Sequence, residues 1–295
     1  MLLLVAGAHG PRLSPGQRAG FLARSVKNPD GPAANMTLRI VFLAFIVLPF
    51  TLFGLPVQLS IVALRLPFWQ VLPAIFFKLV AFGLGLRVSL AGQPLAKGPV
   101  LIVANHIGWL DIVAVASKLP VSFVAKSEVA RWPVIGTFAR LHRTIFVDRT
   151  RRTDTRRTAA EMSARIAQDV PVLLFAEGTS GIGTHVLPFR SALMGAALQD
   201  GARIQPLAIA YTKISGLPLS RSERRQIAWI GDMGIGDNLG AILGSGPKDV
   251  VLAFGAPIPA QGDRKRNAQR AENTVRRMLN ALNRCDPLPR DGEVV

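Results

Sequence analysis

The stretch Val100-Leu-Ile-Val-Ala-Asn-His-Ile-Gly-Trp-Leu-Asp-Ile-Val-Ala-Val115 decides how the rest of the chain is read. Val100 to Ala104 has the length and β-branched composition of a buried strand, while Leu110, Val113 and Ala114 recur at helical spacing. Asn105 to Trp109 is then the turn between them, which puts His106 at a strand end and Asp111 at a helix start. In an α/β sheet that place presents polar side chains to a ligand. A carboxylate within reach of one ring nitrogen fixes the imidazole tautomer and leaves the other nitrogen free to take a proton, the arrangement of a general base. Taken alone, the pair favours a structural histidine beside a helix-terminal charge; its neighbours along the chain reverse that.

The chain has 295 residues, 49% of them hydrophobic, enough for one large core and an appendage. Its 35 Lys and Arg against 18 Asp and Glu give a formal charge of +17, which calls for an anionic partner, either nucleic acid or a membrane surface. A mean hydropathy of +0.33 favours the membrane. Nucleic-acid modules interleave basic residues with exposed aromatics, and a chain with one Tyr and no such interleaving does not fit them. The single cysteine, Cys285, excludes an intrachain disulfide, and no Cys/His cluster has zinc-ligand spacing. A reducing setting without a metal or bound cofactor is expected.

Residues 1–35 begin apolar but turn to Gly, Pro, Arg and Asn too soon for a signal peptide, and are expected to be disordered. Met36 heads the first long apolar stretch and is a second candidate initiator. Ile40 to Leu64 carries no charge, long enough as a helix to cross about 30 Å of hydrocarbon. Leu66 to Leu86 is a second apolar stretch, interrupted by Lys78. Pro49, Pro56 and the Arg65-Leu-Pro67 junction leave two forms open, a span plus an interfacial helix or a hairpin dipping into one leaflet. No Asp or Glu lies between Asp30 and Asp111, whereas Arg39, Arg65, Lys78 and Arg87 do. A membrane anchor over 36–86 is therefore expected rather than a pair of core helices.

The catalytic domain is expected over 87–260. Strands are expected at Arg87 to Ala91, Val100 to Ala104, Val121 to Ala125, around His142 to Arg149, at Val170 to Ala176, Arg203 to Ala210, Gln226 to Ile230 and Val250 to Phe254. The charge run Arg151, Arg152, Arg156 and Arg157 opens an amphipathic helix with Ala159, Met162 and Ile166 on one face. Residues 261–295 form a C-terminal amphipathic helix, about Arg264 to Arg284, and a tail.

Asn-His-x-x-x-x-Asp at 105–111 resembles the signature of the glycerolipid acyltransferases typified by lysophosphatidate acyltransferase, and three further blocks follow in that family's order. Phe146-Val-Asp-Arg149 resembles an element whose arginine holds the acceptor's phosphate, so the resemblance assigns that grip to Arg149, whose planar fork suits a phosphate. Glu177-Gly-Thr-Ser180 resembles Phe-Pro-Glu-Gly-Thr-Arg, with Ala176 in place of the proline and Ser180 in place of the arginine. Leu187-Pro-Phe-Arg-Ser-Ala-Leu193 is similar to the family as well. Glu177, Gly178, Thr179 and Ser180 are thereby expected at the acceptor. Arg203-Ile-Gln-Pro-Leu-Ala-Ile-Ala210 resembles the fourth block, and Pro206 matches the proline lining the acyl or acceptor site.

The resemblance covers about residues 36 to 260 and implies an α/β sandwich, a mixed sheet of about seven strands flanked by helices. It implies acyl transfer from an acyl carrier protein or coenzyme A thioester to the free hydroxyl of a lysolipid. His106 is then the base, Asp111 its orienter, and no acyl-enzyme forms. The sequence does not show what stabilises the thioester oxyanion, and backbone N–H groups at the helix start after His106 are the candidates. The place of work is the cytoplasmic membrane, with the catalytic domain facing the cytosol. Arg149 narrowly favours lysophosphatidate as acceptor. Ser180 and Trp229-Ile-Gly-Asp-Met233 resemble the lyso-ornithine lipid acyltransferase branch instead. A rival of another class is a non-enzymatic basic membrane-surface protein, for which His106 and Asp111 are dispensable.

Overall fold

The computed structural model describes residues 32–132, 134–148, 152–197, 202–230 and 233–289. Residues 1–31 of the expected N-terminal extension lie outside them. The last four residues of that extension open a helix, α1 (Pro32–Phe42), where a leading proline is tolerated because first-turn N–H groups have no intrahelical partner. A π turn at Leu43–Val47 joins α1 to α2 (Leu48–Ala63). Pro49 withholds one N–H from the preceding turn, and the widened π turn absorbs that gap.

Together Met36–Ala63 is a 28-residue apolar helix of hydropathy 2.5, long enough to cross a membrane. Its outer face is bare: Phe45 is 73% and Phe53 74% exposed. After a turn at Arg65, α3 (Val71–Gly83) returns beside it. Phe82 meets Phe42 edge-on at 4.9 Å, and a side chain at Gly83 would strike Leu43. The hairpin is also part of the domain, since Ala81 and Leu84 belong to its core.

The remaining elements are β1 (Leu86–Gly92), β2 (Val100–Ala104), α4 (Trp109–Ala116), β3 (Ser122–Lys126), α5 (Ile135–Leu141), β4 (Ile145–Val147), α6 (Arg152–Ile166), β5 (Val172–Phe175), β6 (Arg203–Ile214), β7 (Leu217–Pro218), α7 (Arg221–Ile227), α8 (Ile235–Gly244), β8 (Lys248–Phe254), β9 (Ile258–Pro259) and α9 (Arg264–Arg284). The sheet order is β1-β8-β6-β2-β5-β3-β4, with β7 and β9 as two-residue additions to β6. β6 and β8 are antiparallel and the other main pairs parallel, which makes the sheet mixed. β2 is buried throughout, as a continuous apolar run flanked by parallel strands must be.

One core lies between the sheet and α3, α4 and α8. The other lies beneath α6 and α9, where Met162, Ile166, Val275, Met278 and Leu279 are buried. The hairpin is held at the first face by two cations on helix-end carbonyls. Arg39 donates to the Leu243 carbonyl at 3.0 Å. Lys248, fully buried, donates to the carbonyls of Ile242 at 2.7 Å and Leu84 at 3.2 Å. Burial lowers the Lys248 ammonium to about 7.

One expected strand is absent. Gln226 and Ile227 end α7, and Ala228 to Ile230 follow as loop. A reciprocal cap nucleates that helix: the Glu223 N–H donates to Ser220 Oγ, and Glu223 Oε2 accepts the Ser220 N–H at 2.7 Å. Ile227 and Ala228 are buried by packing at that helix end rather than by a ladder, and Ile230 is left exposed.

Candidate active site

β2 ends at Ala104, and the Asn105 side chain then continues the ladder as a peptide mimic. Its Nδ2 donates to the Ile209 carbonyl at 3.0 Å, and its Oδ1 accepts the Ile209 N–H at 2.8 Å. The backbone is thereby released from the sheet one residue before His106. The turn after β5 takes hold of it. The His106 N–H donates to Glu177 Oε2 at 2.8 Å, and its carbonyl accepts the Gly181 N–H at 2.8 Å.

His106 Nδ1 lies 2.9 Å from Asp111 Oδ2. A carboxylate accepts there, so Nδ1 carries the proton and Nε2 keeps its lone pair. The ring stacks on Phe175 at 4.0 Å between centroids. It is 16% exposed, whereas Asp111 is fully buried. A buried carboxylate must be well bonded. Asp111 Oδ2 also accepts the N–H groups of Ile107 at 2.6 Å and Gly108 at 3.1 Å, and Oδ1 accepts the Tyr211 hydroxyl at 2.9 Å. Burial first, and then the charge of Asp111, push the Tyr211 phenol well above its ordinary range, so it stays a donor.

Two of the candidate oxyanion donors, the N–H groups of Ile107 and Gly108, are thus engaged by Asp111. This corrects that expectation for both. The cause is local, because a carboxylate at the third helical position reaches back over the open N–H groups of its own helix start.

Glu177 is a framework residue with both oxygens engaged. Oε2 takes His106 N–H and Oε1 takes Leu187 N–H at 2.8 Å. Burial raises its carboxyl to about 7 against the opposing pull of those two N–H donors. Gly178 has φ +72, the left-handed region that favours glycine. Thr179 is exposed. The Ser180 hydroxyl donates to the Trp229 carbonyl, and the Trp229 N–H donates to the Ile107 carbonyl at 2.9 Å. Trp229 therefore ties the Glu177 turn to the His106 loop.

Pro206 is elsewhere. It pairs with Val103 inside the sheet and adjoins Gly255 on the α9 side, while its neighbours Leu207 and Ile209 face the core that carries His106. Strand alternation separates them, because successive side chains point to opposite faces. Arg149 and Arg151 lie outside the described residues.

The structure thus brings together His106, Asp111, Glu177, Gly178 and Ser180. It adds Phe175 and Tyr211, which the sequence did not single out, and gives Asn105 and Trp229, there only parts of motifs, a structural task. Tyr211 carried one signal, being the chain's single tyrosine within a strand-like run. Among the described residues, no group of three or more His, Cys, Asp or Glu could hold a metal.

The comparisons with known proteins bear on the family and the fold. The family model Acyltransferase matches residues 87–210. A lyso-ornithine lipid O-acyltransferase of Brucella abortus is 38% identical over 252 residues, 82% of this chain and 94% of that protein. The chain belongs to the acyltransferase family. A 1-acyl-sn-glycerol-3-phosphate acyltransferase of Neisseria gonorrhoeae is 34% identical over 145 residues, 48% of this acyltransferase and 56% of the relative. Among solved structures, the 1-acyl-sn-glycerophosphate (LPA) acyltransferase of Thermotoga maritima superposes with a TM-score of 0.62 at 19% identity, covering 85% of this chain and 97% of that one. That likeness shows the fold. The family segment holds His106, Asp111 and Glu177; Tyr211 is the next residue after it, and Trp229 and α9 lie beyond.

Proposed function

We propose that this acyltransferase moves a fatty acyl group from a thioester to the free hydroxyl of a lyso-ornithine lipid at a membrane. His106 Nε2 takes the proton of the acceptor hydroxyl as its oxygen attacks the thioester carbonyl. The Asp111 carboxylate, held in place by Tyr211, stabilises the imidazolium that forms. Collapse of the tetrahedral adduct expels the thiolate, to which His106 returns the proton. The acceptor oxygen is the nucleophile, so no acyl-enzyme is required.

One observation carries the choice of acceptor. The likeness to the Brucella lyso-ornithine lipid acyltransferase runs over 94% of that protein, whereas the likeness to the Neisseria glycerophosphate enzyme spans 56% of its length. Position 180 favours the same acceptor. Ser180 spends its hydroxyl on the Trp229 carbonyl, where the phosphate-type block has an arginine able to meet a phosphate. This reverses the narrow preference for lysophosphatidate that Arg149 gave the sequence reading. The apolar Met36–Ala63 helix supports work at a membrane.

The test is a competition between lysophosphatidate and lyso-ornithine lipid in mixed vesicles, with both acyl-carrier and coenzyme A thioesters, run on the wild type and Ser180→Arg. Wild type is expected to prefer lyso-ornithine lipid, and Ser180→Arg to shift transfer toward the phosphate acceptor. A wild type that strongly prefers lysophosphatidate, with no further gain in Ser180→Arg, refutes the acceptor assignment.

A further inference from the structure

The 21 residues of α9 include seven Lys or Arg and one acid, Glu272. Glu272 is buried, accepts the Phe189 N–H at 2.9 Å and pairs with Arg276. At about 100° per residue, Arg266, Arg270, Arg277 and Arg284 fall within about 40° of one another. They form one line of exposed guanidinium groups, roughly 27 Å long at 1.5 Å per residue. The opposite face of α9, with Ala268, Ala271, Val275, Met278 and Leu279, is buried against the sheet, so the line lies on the outer side of the helix, with Arg277 also bordering a cavity lined by Gly92, Phe254 and Pro289.

Two features fix what that line can meet. The apolar hairpin packs on the other face of the sheet, so the stripe is turned away from the helices that suit a bilayer. It also borders the active site. Asn283, beside the end of the stripe, donates to the Gly183 carbonyl at 2.9 Å. Gly183 lies against Ile107 of the His106 loop, where a side chain would strike Ile107. Four like charges along a convex helix match an extended acidic surface better than a small anion, which would need a concave site.

We propose that the Arg266, Arg270, Arg277 and Arg284 stripe docks an acidic acyl carrier protein, which delivers the thioester to His106 from the side of the molecule opposite the membrane. This rests on the acyl-transfer reading above. Exposed charges steer encounter, so their loss raises KM and weakens salt dependence while leaving the chemical step alone.

The test compares Arg266→Glu/Arg270→Glu with a charge-matched control on α7, Arg221→Glu/Arg225→Glu. Three measurements are made: steady-state kinetics with a carrier-borne acyl group, anisotropy of a labelled acidic carrier protein, and sedimentation with phosphatidylglycerol vesicles. The stripe variant is expected to raise KM for the carrier substrate at least tenfold with kcat kept, and to weaken carrier binding equally. The control is expected to move neither, and vesicle binding to stay as in wild type. An unchanged KM and carrier affinity overturns the proposal, as does an equal effect from the control. Loss of vesicle binding with carrier affinity intact assigns the stripe to lipid and overturns it too. A wild type that turns over acyl-coenzyme A but not the carrier thioester sinks the docking while the acyl-transfer reading stands. If it turns over neither thioester, that reading fails, and the anisotropy alone decides the docking.

Discussion

Replacing Tyr211 with Phe removes one oxygen from the centre of the protein and leaves the ring's packing unchanged. Among the described residues, Tyr211 alone reaches Asp111 Oδ1, at 2.9 Å, while His106, Ile107 and Gly108 all share Oδ2. Both partners are out of water: Asp111 is 0% and Tyr211 2% exposed. Solvent therefore cannot replace the lost donor. A hydrogen bond to a buried charge is worth about 2 kcal/mol, which for a chain of this size lowers the unfolding midpoint by roughly 3 °C. The freed carboxylate loses an anchor opposite the imidazole, and turnover is expected to fall about tenfold as His106 loses orientation. The measurements are thermal unfolding in detergent and single-substrate kinetics on Tyr211→Phe, Asp111→Asn and the double variant. In the Asp111→Asn background, Tyr211→Phe is expected to cost less than in wild type, because the phenol then meets a neutral amide rather than a buried charge. A stability loss below about 0.5 kcal/mol, or strict additivity in that cycle, would show that the phenol does not hold the carboxylate.

His106→Ala, checked for folding by circular dichroism, is expected to lose about 10²- to 10⁴-fold in turnover; retention of a tenth of wild-type activity contradicts the base assignment. Glu177 has a folded pKa raised from 4.5 to about 7, so its contribution to stability is fully present below pH 4.5 and is lost as pH rises through about 7. Relative to wild type, Glu177→Gln is therefore expected to gain up to about 3 kcal/mol of stability between pH 4.5 and pH 8, and a pH-independent difference between the two unfolding curves rules this out. A chain beginning at Arg87 is expected to lose vesicle association and also part of its stability, because Ala81 and Leu84 leave the core and Lys248 loses the Leu84 carbonyl. Recovery of that truncated protein in the membrane pellet after a carbonate wash would count against the hairpin as anchor.

Where periodicity and composition suffice, the sequence determined a good deal by itself. The apolar β-branched run at Val100 to Ala104 became β2, the Ala268-to-Leu279 spacing became the buried face of α9, and the uncharged stretch from Ile40 became an apolar helix. His106 and Asp111 were legible because five residues across a strand-to-helix turn leave few ways for the two side chains not to meet. The tertiary structure decided the rest, because hydrogen-bond partners far apart in the chain leave no local pattern. Tyr211 reaches Asp111 across 100 positions and Glu177 reaches His106 across 71. Gln226 to Ile230 has the composition of a strand, yet a helix cap at Ser220 and burial at a helix end, neither of them a matter of propensity, made it helix and loop. Pro206 fell on the far face of the sheet for the same kind of reason. A strand's alternation is fixed by its sequence, but which face meets the catalytic loop is fixed only by what packs against it.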